Sequence, residues 1–174
     1  MAAKTGTYTL ISSNTLGSAA ASVTFSSIPA TYTDLILVCS NLKCSVASNN
    51  IYIRYNSDTA SNYSYTMLSG NGTTAFSVRG TSLAYNYCGG YDTGVNDSNP
   101  TTMILNILDY ANTTTNKTAT ARFGVINATG GGETHAIVNM WRSTSAINTI
   151  LIYPFSGNWS TGSVFKLYGI EAAK

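Results

Sequence analysis

Residues 22–38 read SVTFSSIPATYTDLILV, and the parsing of this stretch decides the fold. Val23, Phe25 and Ile28 give apolar bulk to a first extended run, and Leu35, Ile36, Leu37 and Val38 form a second. The second run is apolar at consecutive positions, which predicts a strand covered on both faces. Between the runs, Pro29 fixes its own φ and steers Ile28 away from helical geometry, and Thr31-Tyr32-Thr33-Asp34 is turn-friendly. The pair is expected at the middle of a layered β structure, with the remaining strands packed around it.

Outward from this pair the signals stay β. Residues 7–12 predict a first strand, and 40–50 read as a connection. Residues 51–56 alternate Ile51, Ile53 and Tyr55 against Tyr52, Arg54 and Asn56, a half-exposed strand with an aromatic, polar outer face. Residues 63–68 follow, then the turn Gly70-Asn71-Gly72, then short runs at 76–78 and 83–87. Residues 89–100, GGYDTGVNDSNP, form the longest loop-like stretch, and long ordered loops are usually functional or interfacial. Residues 102–110 read as a strand. Residues 117–127 and 134–142 alternate cleanly around Gly130-Gly131-Gly132, an antiparallel pair. Residues 147–153, stopped by Pro154, and 163–170 complete the pattern. No segment combines a capping box with a 3.6-residue period. About ten short strands with frequent turns predict one all-β domain over 1–174, an antiparallel β-sandwich of jelly-roll type.

The chain has 174 residues, long enough to bury roughly 70% of its unfolded surface. Charged residues make up only 9%, against about 25% in an average domain. Ser, Thr, Asn and Gly fill the gap, so a neutral polar coat surrounds an apolar core. Such a surface repels little and suits life packed against neighbours. The net charge is +2 and the basic residues are scattered, which leaves nucleic acid without a basic stripe to bind. Cys39, Cys44 and Cys88 are odd in number and lack CxxC spacing. They read as free thiols, with Cys39 in the core; a Cys39–Cys44 or Cys44–Cys88 bridge is the other reading. No run approaches the ~20 apolar residues of a membrane span. MAAKTGTYTL has no apolar core of a signal peptide, so synthesis and assembly in a cytoplasm are expected. The sequons at Asn62, Asn71, Asn116 and Asn158 then carry no meaning.

Catalytic chemistry is thin. Nucleophilic catalysis needs Ser or Cys beside an oriented His, and His135 has only Asp109 or Glu133 to orient it. It reads as a partly exposed strand residue. Asp58, Asp92 and Asp97 fall in turns, where Asp caps backbone, although Asp92 or Asp97 would be the acids of a polysaccharide depolymerase. Asn56-Ser57-Asp58 and Asp92, Asn96, Asp97 lack the spacing of a calcium loop. No catalytic residue, metal or cofactor is expected.

Tyrosine is the unusual residue, with 12 copies. Tyr52, Tyr55, Tyr63, Tyr65, Tyr85, Tyr87 and Tyr91 cluster in the middle third, with Arg54 and Arg79 nearby. Tyr offers a large apolar body and a wet tip at low entropy cost, so it is enriched at protein interfaces, and it also stacks on sugars. These tyrosines with Arg54 are the candidate interface or glycan-platform residues, or else half-buried sheet residues. Tyr52, Tyr63, Tyr65 and Tyr91 would make the platform. Trp141 and Trp159 read as core or sheet-edge anchors.

Four segments carry a resemblance: GTYTLISSNTLGSAAASVTFSSIP (6–29), YTDLILV (32–38), IRYNSDTASNYSYTML (53–68) with GNG just after it, and GSVFKLYGIEA (162–172). Together they resemble small β-rich virion proteins of tailed bacteriophages, notably cyanophages, where such a domain occurs alone or at the end of longer fibre proteins. The resemblance covers about half the chain and transfers no site residues; residues 73–132 fall outside it. It implies a structural or adsorption protein of the particle. The absence of a coiled-coil, collagen-like or β-helical rod favours a capsid decoration, knob or tail-associated adaptor-like protein. Such a protein would dock on other virion proteins as a homo-oligomer, with a trimer as the expected symmetry. The alternative is a glycan-binding fibre tip.

Overall fold

The computed structural model describes residues 7–90, 94–126 and 130–171. Twelve strands run in order: β1 (Tyr8–Thr15), β2 (Val23–Phe25), β3 (Asp34–Leu42), β4 (Ile51–Tyr55), β5 (Tyr63–Gly70), β6 (Ala75–Leu83), β7 (Asn86–Gly89), β8 (Thr101–Leu108), β9 (Lys117–Ile126), β10 (Gly132–Trp141), β11 (Ile150–Pro154) and β12 (Val164–Ile170). Among the described residues there is no helix. An eight-stranded sheet has the order β1-β12-β3-β8-β9-β10-β5-β6, and a four-stranded sheet the order β2-β11-β4-β7. Every pairing is antiparallel. The two sheets pack face to face as a β-sandwich.

Eight of the strands define the topology. Pairs β1·β12, β2·β11, β3·β8 and β4·β7 nest inside one another like a folded ribbon, and β12·β3 and β11·β4 close it into two four-stranded layers. That is the jelly-roll connection. Two hairpins are inserted in it: β5–β6 between β4 and β7, and β9–β10 between β8 and β11. They join through β10·β5 and extend one layer from four strands to eight.

The stretch 22–38 does not form a pair within one sheet. β2 joins β11 and β3 joins β12 and β8, so the chain crosses between layers at residues 26–33. The crossing is pinned by Tyr110, whose hydroxyl bonds the Pro29 carbonyl and accepts from Tyr32 N at 3.4 Å. The Tyr32 ring lies on β12 where Gly169 leaves room: a Cβ there would stand 2.2 Å from the ring. β3 lies inside its sheet, but no layer covers both its faces as the apolar run predicts: Ile36, 8% exposed, and half-buried Val38 stand on the outer face, while Leu35 and Leu37 are fully buried on the inner one. They meet Ile107 and Leu105 of β8 and Leu167 of β12 across the inner face. Each such side chain contributes about 1.5–3 kcal/mol by leaving water.

Several boundaries differ from expectation. β3 runs on to Leu42 through a bulge at Asn41, which takes a left-handed φ of 49°. The runs at 76–78 and 83–87 resolve into β6 and β7, because the strand continues through Arg79 and Gly80. Residues 94–100 carry an isolated bridge, Asn49 to Val95, rather than open loop. In β10 the face carrying His135, Ile137, Asn139 and Trp141 is buried, and Ala136, Val138 and Met140 face out. Ile137 and Trp141 supply the bulk that carries two polar neighbours inward.

Candidate interaction surfaces

The candidate tyrosines separate into two environments. Tyr55 and Tyr63 are core residues, 1% and 0% exposed. Asn56 and Ser57 take left-handed φ of 50° and 57°, and Asp58 N closes the turn onto Tyr55 O at 2.9 Å. This geometry brings β5 back so that the Tyr63 hydroxyl accepts from Tyr55 N at 3.1 Å and donates to Asp58 O at 3.2 Å. Trp141 stacks on Tyr63 at 6.2 Å and tilts against Tyr55 at 5.6 Å. Asp58 caps the trio: its Oδ2 accepts from Trp141 Nε1 at 2.7 Å and Asn62 Nδ2 at 2.9 Å, and its Oδ1 from Ala60 N at 2.8 Å. Burial raises the carboxyl, but these three donors outweigh it and the pKa falls below the ordinary 3.8. Burial also pushes the Tyr63 phenol up to about 12.

Tyr52, Arg54 and Tyr85 lie on the outer face of the four-stranded sheet. Tyr52 is only 7% exposed because Tyr85 stacks on it at 3.9 Å, while Tyr153 and Phe155 meet it edge-on at 5.7 and 5.9 Å. Arg54 is committed locally: Nε donates to Ala84 O at 2.8 Å and the guanidinium sits 4.8 Å over Tyr153. Tyr65 stacks on Tyr87 at 4.8 Å, and Tyr87 reaches Tyr52 at 6.1 Å. Burial pushes the Tyr85 phenol up to about 12, and Tyr87 up as well. Phe155, at 68% exposure, is the open member of this patch. Tyr91 and Asp92 lie outside the described residues.

His135 is buried, not partly exposed. It packs on Phe123 at 4.9 Å, and its Nε2 stands 2.8 Å from Glu133 Oε1, a close contact without hydrogen-bond alignment. Ser69 Oγ donates to the same carboxylate at 2.8 Å. The hydroxyl thus meets the acid, whereas triad chemistry needs it on the imidazole. Among the described residues no three His, Cys, Asp or Glu converge on a metal position. Asn56 and Asn96 spend their side-chain oxygens on backbone amides of residues 148–149 and 98–99. The three cysteines are free and buried, Cys39 in the core as expected.

The composition gave no signal for the second surface, the outer face of the eight-stranded sheet. Register lays two rows of side chains across all eight strands. One runs Leu10, Tyr168, Ile36, Asn106, Thr120, Val138, Thr66, Arg79. The next runs Ser13, Lys166, Val38, Ile104, Arg122, Ala136, Leu68, Ser77. Among the described residues nine large hydrophobics are exposed, and seven of them stand on this face: Tyr8, Leu10, Leu68, Leu108, Ile126, Val138 and Met140. Thr66, Leu68, Thr120, Arg122, Ala136 and Val138 border a shallow groove of about 380 Å³ there. Four of the seven belong to the inserted hairpins. A lone exposed apolar residue means nothing, but a contiguous set marks an interaction site.

A scan against protein-family models and a search of curated proteins gave no match to this chain.

Proposed function

We propose that this chain is a non-enzymatic structural protein of a bacteriophage virion, a capsid decoration, knob or tail-associated adaptor-like protein. It docks on other virion proteins as a symmetric oligomer, after assembly in the cytoplasm of the host bacterium. The observation that carries a binding role is the broad, weakly charged outer face of the eight-stranded sheet, where the exposed apolar side chains gather. The virion assignment draws on the resemblance of residues 6–29, 32–38, 53–68 and 162–172. The jelly-roll connection is shared by viral capsid and lectin domains, which supports it only by analogy of fold. Mass spectrometry of purified particles from a phage that encodes this chain tests it. The chain should be present at a fixed copy number per particle, and its absence from clean particles would reject the reading.

One feature favours a second reading, host-glycan recognition. Phe155 stands open against the edge of Tyr52 on the four-stranded sheet, and sugars stack on such aromatic surfaces. Tyr52 and Tyr63, buried under their neighbours, would take no part. A glycan array discriminates: binding abolished by Phe155→Ala supports this reading, and a blank array removes it.

A further inference from the structure

We infer that the outer face of the eight-stranded sheet is covered by a second copy of the same face, in a two-fold dimer. The inference rests on the binding role proposed above and names its partner. Eight strands at ~4.8 Å spacing, each about eight residues long at ~3.3 Å, present roughly 1,000 Å². A stable interface buries about 800 Å² per partner, so overlap of about four-fifths of the face is enough, which leaves room for the twist of the two sheets.

Charge supports self-pairing. The outward rows carry Lys166 on β12, Arg122 on β9 and Arg79 on β6, each three strands from the next in the sheet order. That spacing is about 14 Å, beyond the ~8 Å screening length of physiological salt. A two-fold axis along the strands, between β8 and β9, overlaps the faces fully and inverts the strand order of the facing copy. Lys166 then meets β5, Arg122 meets β8 and Arg79 meets β1, so every cation lies over neutral side chains. Val138 faces Ile36, and Ala136 faces Val38. A single self-complementary face closes on itself as a pair, so the unit is a dimer and not the trimer expected from sequence.

Sedimentation velocity of the full chain at micromolar concentration should show a dimer. Val138→Glu and Leu68→Lys, each on an exposed position, should weaken association roughly a hundredfold, because the first would bury an unpaired carboxylate over Ile36 and the second would set an ammonium against Lys166. Circular dichroism and the melting temperature of the monomeric variants show whether the fold is kept. Phe155→Glu, on the other sheet, should remain dimeric. A mixture of Ala136→Cys and Val38→Cys chains should cross-link through a short bis-maleimide, since the native thiols are buried. A wild-type monomer overturns the inference and leaves a different protein as the cover, as does a folded Val138→Glu and Leu68→Lys pair that both stay dimeric. A dimer that fails to cross-link in that mixture overturns the strand-inverted arrangement. Absence from particles would reject the virion assignment and leave the dimer standing.

Discussion

Removing the Asp58 carboxylate should unfasten the corner where β4, β5 and β10 meet. Its Oδ2 is the acceptor of the Trp141 indole N–H at 2.7 Å, and Trp141 is only 3% exposed. In Asp58→Ala that donor loses its partner inside the protein, a cost of about 1–3 kcal/mol. Ala60 N and the Asn62 amide lie closer to solvent and recover hydrogen bonds from water. The expected loss is therefore about 2 kcal/mol, or about 4–8 °C in Tm for a chain of this length. Asp58→Asn keeps the shape and one accepting oxygen for Trp141 and Asn62, but it loses the charge and the acceptor of the exposed Ala60 N–H, so about 1 kcal/mol is expected. The pH dependence carries a sign. The folded pKa lies below the ordinary 3.8, so the charged form adds stability that is fully present above that value and disappears as pH falls through the folded pKa. Wild type and Asp58→Asn should then differ most near neutrality and converge in acid. Urea unfolding followed by tryptophan fluorescence measures both effects. An Asp58→Ala protein within about 0.5 kcal/mol of wild type, or an Asp58→Asn gap that persists in acid, would refute the account.

Three further outcomes follow from the packing. Gly169→Ala drives a Cβ into the Tyr32 ring and should cost about 1–3 kcal/mol; calorimetry should find part of it restored in Gly169→Ala/Tyr32→Ala. Cys39, Cys44 and Cys88 are buried and burial raises each thiol, so an aromatic disulfide reagent should titrate none in the native protein and all three in denaturant. Tyr85→Ala uncovers Tyr52 and should cost about 0.5–1.5 kcal/mol beyond the area lost, while light scattering should find the oligomeric state unchanged.

The layering was legible because it depends on alternation and on one double-sided apolar run. Leu35 to Val38 announced a central strand, and 117–127 with 134–142 announced β9 and β10 pairing through a glycine turn. The partners of β2 and β3 were hidden because a short connection looks the same whether it turns within a sheet or crosses to the other. The face of β10 was harder still: Ala136, Val138 and Met140 are the more apolar set, yet Trp141 and Ile137 carry the other set inward, and His135 goes in with Glu133, its neighbour on the same face of the strand. Among the tyrosines, sequence marks a cluster but not its depth. Tyr63 is core because the left-handed Asn56-Ser57 turn folds β5 back onto Tyr55. The exposed sheet face escaped notice because Leu68 and Val138 lie on different strands and become neighbours only through register.

The nesting of β1·β12 outside β2·β11 also governs how the polypeptide acquires its shape. Tyr8 waits for Ile170, so the outermost seam cannot close until β12 has left the ribosome. High contact order of this kind predicts refolding in milliseconds to seconds rather than microseconds. The inserted hairpins, whose paired strands lie close together in sequence, escape that delay. They give the growing chain early local structure while its sticky ribbon is still waiting for its last strand.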